Sequence, residues 1–255
     1  MQNTAADTEF LDKWRARWPE WRIALTFVEP ARRADAEAWF ALLQEFVDAA
    51  WSEGDPAPGI AKLGWWEEEL RGWSRGARRH PLGAALQKTP APWASLADAL
   101  AALPMAREAV LAAARAPGPQ PLRVSADVLQ SCAETMEAVE RALFGATPSV
   151  RAPASAEGRA SAGIASIGMH AAQASVAHTR SARDGIDDRE TATSAEFARV
   201  LVAAWPTPAS TRPRRIHDAL VLSRLRLLAA GRRPSPTSPL APWSALWTSW
   251  RAARG

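Results

Sequence analysis

Apolar residues recur along most of this chain at intervals of three and four, and no segment alternates with period two for long enough to make a strand. The densest pattern lies between residues 61 and 86. There Leu63, Trp66, Leu70 and Trp73 are spaced three, four and three apart, which places them on one side of a helix. Glu67 precedes Arg71 by one turn, an order that adds modest helix support. Gly76 marks a stop, and His80-Pro81 starts a second helix running to residue 88, with Pro81 at a first position where a missing N–H costs nothing.

The same reading predicts the other elements. Residues 10–18 make a first helix with Phe10, Leu11, Trp14 and Trp18 on one side, and 21–28 form a short apolar piece ending at Glu29-Pro30. Residues 31–51 carry Trp39, Phe40, Leu42, Leu43, Phe46, Val47 and Ala50, a face broad enough for a helix deep in a bundle. Helical patterns follow at 93–103, broken at Pro104 and resumed to 115. Another is capped by Ser125 and runs to 144, with Leu129, Cys132, Met136, Val139 and Leu143 inward. A helix of small residues is expected at 159–179, and further helices at 197–204, 214–230 and from 240 onward. Irregular segments are expected near 54–59, 116–121, 145–158, 180–194 and 232–239, where Pro, Gly, Ser and charged residues cluster. No repeat or internal boundary divides the chain, so it reads as one all-α helical domain over residues 1–255.

Composition sharpens this picture. Thirteen Trp and no Tyr put large rings at many core positions. The net charge of +4 invites a nucleic-acid reading, but the basic residues are nearly all Arg, scattered and interspersed with acids rather than gathered on one element. No nucleic-acid partner is therefore expected. Cys132 is the single cysteine, which excludes an intrachain disulfide and suits a reducing compartment. The first residues show no basic-then-apolar leader, and nowhere is there an apolar run long enough to span a bilayer. The expected location is the cytoplasm, with at most peripheral contact at the inner face of a membrane. The last helix, with Trp243, Leu246, Trp247 and Trp250 beside Arg251 and Arg254, is the segment able to make that contact. Its narrow apolar stripe favours packing into the core instead.

Candidate chemistry is sparse. Asp184, Asp187 and Asp188 are the carboxylates best placed to act, since Asp184 and Asp188 are one helical turn apart and two such groups can share Mg²⁺ with phosphate oxygens. A solvated polar loop is the plainer reading of that run. His170 and His178 are eight apart, a poor spacing for one metal. No Ser sits in a nucleophile elbow, and no Gly-rich loop cradles a phosphate.

Several segments together resemble the squalene/phytoene synthase family, the head-to-head isoprenyl diphosphate synthases. Phe27 with Pro30-Ala31-Arg32-Arg33 is similar to that family's N-terminal signature. Lys62-Leu63-Gly64-Trp65-Trp66-Glu67-Glu68-Glu69-Leu70, then Gly76, His80-Pro81 and Leu86, resembles its K-L-x-W-W-x-x-E-L … G … H-P … L block. Gly168 with Ala172-Gln173, and the ending Leu246-Trp247-Thr248-Ser249-Trp250-Arg251-Ala252-Ala253, resemble later parts of bacterial members.

The resemblance implies an isoprenoid-synthase bundle around a central cavity. In active members two Asp-rich motifs face each other there and hold Mg²⁺, which binds prenyl diphosphates and eases departure of the first one. Without gaps, the first motif, D-D-x-x-D, falls on Val47-Asp48-Ala49-Ala50-Trp51, with Gln44 at the polar position upstream. The second, R-D-x-x-x-D, fits Arg183-Asp184-Gly185-Ile186-Asp187-Asp188 one turn late, or leaves Arg180 and Asp184 at the ungapped spacing.

The implied metal ligands are thus Asp48, Asp184 and Asp188, Asp48 facing the others within about 15 Å. The implied diphosphate ligands are Arg32, Arg33 and Arg183. Two functions stay open. One is a Mg²⁺-dependent prenyltransferase condensing C15–C20 prenyl diphosphates. The other is a member that has lost catalysis and uses the bundle to bind a prenyl diphosphate or a protein partner, as a mitochondrial respiratory-complex assembly factor on this fold does. The loss of carboxylates at Val47 and Trp51 favours the second.

Overall fold

A computed structural model describes residues 4–51, 55–114, 120–145, 195, 198–199, 201–203, 205, 211–232 and 241–254. Among the described residues the fold is all-α: α1 (Thr4–Arg17), α2 (Trp21–Ala24), 3₁₀ turns at Leu25–Phe27 and Pro30–Arg32, α3 (Arg33–Ala50), α4 (Ala57–Trp73), α5 (Gly83–Leu86), α6 (Trp93–Ala99), α7 (Ala102–Ala114), α8 (Gln120–Phe144), α9 (Arg212–Ala229) and α10 (Ala241–Arg254). No described helix is long and apolar enough to cross a membrane.

The broad apolar face of α3 makes it the central element. Every residue from 38 to 47 is buried, and α1, α4, α5 and α7 pack around the helix. Trp14, Trp18, Trp21, Trp39, Trp66 and Trp93 are all fully buried in one contiguous cluster with Phe40 and Phe46. Rings of this size bury well over 100 Å² each, so a few of them fill what many aliphatic side chains otherwise would.

The stretch from Lys62 to Gly76 behaves as its spacing predicts. Leu63, Trp66, Leu70 and Trp73 are buried on one side of α4. The helix closes in a Schellman turn. Gly76, at φ +83°, lets the Ala77 N–H reach Gly72 O at 3.0 Å and its own N–H reach Trp73 O at 3.1 Å. Beyond it the helix expected from His80 shrinks to the single turn α5, because Pro81 and Leu82 lie in the turn that precedes it.

Other boundaries move for similar local reasons. Helix α4 begins inside the segment read as a loop, since Pro58 is tolerated in a first turn and the Asp55 carboxylate accepts the Ala57 N–H at 2.9 Å. Pro104 does not break a helix. It lies in the first turn of α7, and the chain bends before it, between α6 and α7. Helix α8 starts at Gln120, so Ser125 is not its cap. The expected helix at 159–179 and the expected irregular segments at 146–158 and 180–194 lie outside the described residues.

The last helix departs most from expectation. Only Ala245 and Ser249 of α10 are buried, and the helix packs on α9 and α2 through its small residues. Its aromatic residues do not enter the core: Trp243 is 70% exposed and Trp247 60%.

Candidate diphosphate and metal site

Asp48 is the one carboxylate left in the segment of α3 that resembles the first Asp-rich motif. It sits near the C-terminal end of α3, and its environment is set by α1. Lys13 and Arg17, one turn apart on α1, both turn toward α3. The Arg17 guanidinium donates to Asp48 Oδ1 at 2.5 Å, and Lys13 Nζ stands 3.7 Å from Oδ2. Gln44, one turn earlier on α3, donates to Asp48 Oδ1 at 2.8 Å while its own carbonyl accepts the Trp18 Nε1–H at 3.1 Å. A second carboxylate, Glu45, lies beside it and takes Lys13 at 3.2 Å and Lys62 at 2.5 Å. Burial raises the Glu45 carboxyl, but the hydrogen bonds and charges of Lys62 and Lys13 outweigh it and hold the group below the usual glutamate range.

The result is an alternating row of three cations and two anions, Arg17–Asp48–Lys13–Glu45–Lys62, joining α1, α3 and α4. Both Asp48 oxygens already face cationic or amide donors of the chain itself. The neighbouring positions of the implied motif are Val47 and Trp51, so Asp48 is the one carboxylate this motif segment offers. Mg²⁺, which takes one or two carboxylates besides phosphate oxygens, would have to displace Arg17 and Lys13 from it. Among the described residues no group of three His, Cys, Asp or Glu side chains is arranged to hold a metal. Asp184, Asp187, Asp188, Arg183, Arg180, His170 and His178 lie outside the described residues, as does the predicted approach of Asp48 to Asp184 or Asp188.

The two described arginines of the implied diphosphate set are engaged locally. Arg33 donates to the carbonyls of Val28 at 3.1 Å and Thr26 at 3.4 Å, which pins the 3₁₀ turns to the start of α3. Arg32 faces Asp35 at 3.8 Å and is 42% exposed at its side chain.

The buried residues of the Trp-rich block have a structural explanation. Glu69, 1% exposed, accepts from Trp73 Nε1 at 2.8 Å, from the backbone N–H groups of Arg79 and His80 at 2.7 Å each, and from Arg79 Nε at 3.1 Å. Burial raises its carboxyl, yet these donors together hold it below the ordinary glutamate value. His80 packs against Phe10 and Trp66, each at 4.5 Å between ring centroids, and its Nδ1 accepts the Leu82 N–H. Lys62 holds Glu45, as described. The most family-like wording in the chain thus specifies packing and turn geometry.

Two further charged clusters were not expected from the sequence. Glu140 of α8, itself buried, accepts Trp39 Nε1 at 2.8 Å and pairs with Arg214 of α9, which also faces Asp218 at 3.7 Å. Burial, reinforced by the Glu140 charge and opposed by Arg214, pushes the Asp218 carboxyl up to about 7. Arg224 of α9 forks onto Glu20 at 2.9 and 2.6 Å and lies 3.8 Å over the Trp18 ring. Between these arginines His217 is buried against Trp18, Trp21 and Phe40, with Nδ1 accepting Trp21 Nε1–H at 3.2 Å. Burial and the charges of Arg214 and Arg224 hold its pKa well below that of free histidine. The spacing of Arg214 and Asp218 by four on one helix is a readable signal. The partners on α8 and before α2 are 74 and 204 residues away and leave none. Cys132 is buried, and desolvation pushes its thiol up to about 12, so it is no nucleophile.

Compared with protein-family models, with curated proteins and with solved structures, the chain matches none.

Proposed function

We propose that this chain is a squalene/phytoene-synthase-like protein of isoprenoid metabolism whose bundle binds rather than turns over its ligand. The reading rests on the sequence resemblance and on one observation: the surviving motif carboxylate, Asp48, is neutralised from within by Arg17 at 2.5 Å and by Lys13. Fixed cations hold the carboxylate that a catalytic metal would use. Loss of one preorganised transition-state stabiliser costs about 10²- to 10³-fold in rate, and here Val47 and Trp51 remove two carboxylates of one motif. The ligand class the resemblance implies is a prenyl diphosphate, with a protein partner as the alternative if the bundle serves assembly.

Diphosphate release from farnesyl and geranylgeranyl diphosphate, with and without Mg²⁺, tests this directly. The expected outcome is no release, together with a raised thermal midpoint in the presence of a non-hydrolysable diphosphate analogue that does not depend on Mg²⁺. Metal-dependent release abolished by Asp184→Ala would overturn it and assign an active transferase using Asp48, Asp184 and Asp188 for Mg²⁺ and Arg32, Arg33 and Arg183 for diphosphate. No release and no shift would remove the prenyl ligand and leave the protein-binding alternative.

A further inference from the structure

Helix α10 turns its largest apolar side chains outward. Trp243, Trp247, Trp250 and Arg254 follow one another at spacings of four, three and four, so they form a single stripe along the helix. Trp243 and Trp247 are 70% and 60% exposed, and Leu246 beside them 38%. The opposite side, Ala245 and Ser249, is what packs on the core. The stripe is ordered: Trp247 and Trp250 stack at 5.0 Å between centroids, and the Arg254 guanidinium lies 4.3 Å over the Trp250 ring. A chain that buries Trp14, Trp18, Trp21, Trp39, Trp66 and Trp93 completely leaves Trp243 and Trp247 in water.

Charge decides what covers them. Helix α10 holds Arg251 and Arg254 and no acid. Helix α9, packed against it, carries Arg212, Arg214, Arg215, Arg224 and Arg226 against the single acid Asp218. Arg214 and Arg224 are matched by Glu140 and Glu20. Arg212, Arg226, Arg251 and Arg254 pair with no carboxylate among the described residues, while Arg215 is buried and donates to the Ala252 carbonyl of α10 at 3.2 Å. Two such faces from two copies of the chain would oppose arginine to arginine. An anionic surface complements the cations, and indole, apolar in body with one N–H donor, suits the boundary between acyl chains and headgroups.

We propose that α10 docks the protein onto an anionic lipid surface, with Trp243, Leu246 and Trp247 entering the acyl boundary and Arg251 and Arg254 meeting lipid phosphates. The inference stands independently of the diphosphate reading. It concerns an interfacial helix that lies on the bilayer, not one that spans it.

Co-sedimentation of the full chain with phosphatidylcholine vesicles, and with vesicles containing phosphatidylglycerol, tests the assignment. Binding is expected to the anionic vesicles only and to weaken as salt rises. Trp243→Ser with Trp247→Ser should lower the partition coefficient by at least about tenfold, since each exchange removes a large buried apolar area from the bound state. Both sites are exposed, so helicity by circular dichroism should not change. Arg251→Gln with Arg254→Gln should weaken anionic binding and leave any residual binding to neutral vesicles unaltered. No binding to anionic vesicles overturns the proposal. So does binding indifferent to the tryptophan pair, or a dimer in sedimentation that needs Trp247 and forms without lipid.

Discussion

The Glu69 carboxylate reaches across ten residues to the backbone N–H of His80, at 2.7 Å, and in doing so fixes where the chain goes after α4. One oxygen, Oε1, also serves the Arg79 N–H and the Trp73 indole. A buried acid with this many donors is an internal cap: it replaces water for N–H groups that no helix satisfies.

Removing it should therefore cost more than a typical polar substitution. Glu69→Ala leaves the Trp73, Arg79 and His80 donors without an acceptor, at roughly 1–3 kcal/mol for each group that stays buried, so a loss of about 3 kcal/mol or more is expected. Glu69→Gln keeps one acceptor oxygen and should cost about half as much. Because the folded carboxyl titrates below the unfolded one, its contribution is present above about pH 4.5 and fades as pH falls through the folded value. Urea midpoints for the two variants and the parent at pH 7 and pH 4 check both statements, the gap between parent and Glu69→Gln narrowing in acid.

Gly83 allows α5 to lie against the ring of Trp73. A Cβ there would stand 2.9 Å from the indole Cε2 and Nε1 atoms, which are themselves fixed by Glu69. Neither partner can give way cheaply, so Gly83→Ala is expected to destabilise by about 1–3 kcal/mol. Gly76→Ala has open space around it but a left-handed backbone, and should cost about 1 kcal/mol. Thermal unfolding of the two variants distinguishes overpacking from backbone strain, the first being relieved in the Trp73→Leu background and the second not.

How much of this was readable beforehand depends on range. The body of α3, the C-terminal half of α1 and the buried side of α4 follow from spacing because local periodicity records which face is apolar. The start of α1 at Thr4 and the single turn α2 do not. Trp66 and Trp73 lie where their intervals place them. The Trp243 stripe has the same periodicity and is exposed, because spacing reports that a face is apolar and not what covers it. The partners of Asp48 were illegible for another reason. Lys13 and Arg17 are ordinary exposed-looking cations on α1, 31 or more residues from their partner, and only the packing of α1 on α3 brings them to it. Proline boundaries failed at 58 and 104 because proline is as much at home in the first turn of a helix as in a loop.

The Arg17–Asp48 pair is partly buried, and its worth can be isolated. Arg17→Ala and Asp48→Ala combined in a double-mutant cycle should show a coupling of about 0.5–1.5 kcal/mol, above that of an exposed pair because Gln44 and Trp18 Nε1 extend the network. Urea denaturation of the four proteins at low and high salt gives the value directly. A coupling near zero would mean that the Asp48 carboxylate is not held by Arg17 in solution, and would weaken the argument that the chain's own cations hold the carboxylate a catalytic metal would use.

His217 and Asp218 are adjacent in α9 and titrate with opposite consequences. His217 is held neutral in the fold, so the unfolded chain binds a proton first as pH falls. The stability it contributes is complete above about pH 6.5 and is lost below it, with a slope of at most about 1.4 kcal/mol per pH unit. The Asp218 carboxyl is raised to about 7, so its contribution is complete near pH 4 and is lost as pH rises toward 7. Between pH 5 and 7 the two slopes oppose each other, and the parent should show a shallow dependence. His217→Gln keeps an acceptor for Trp21 Nε1 and should leave stability falling as pH rises through that window. Asp218→Asn should leave it falling as pH drops and should be the more stable protein, relative to the parent, at pH 8. Urea midpoints at pH 5, 6, 7 and 8 read both slopes. Parallel profiles for all three proteins would mean that neither group changes its proton affinity on folding.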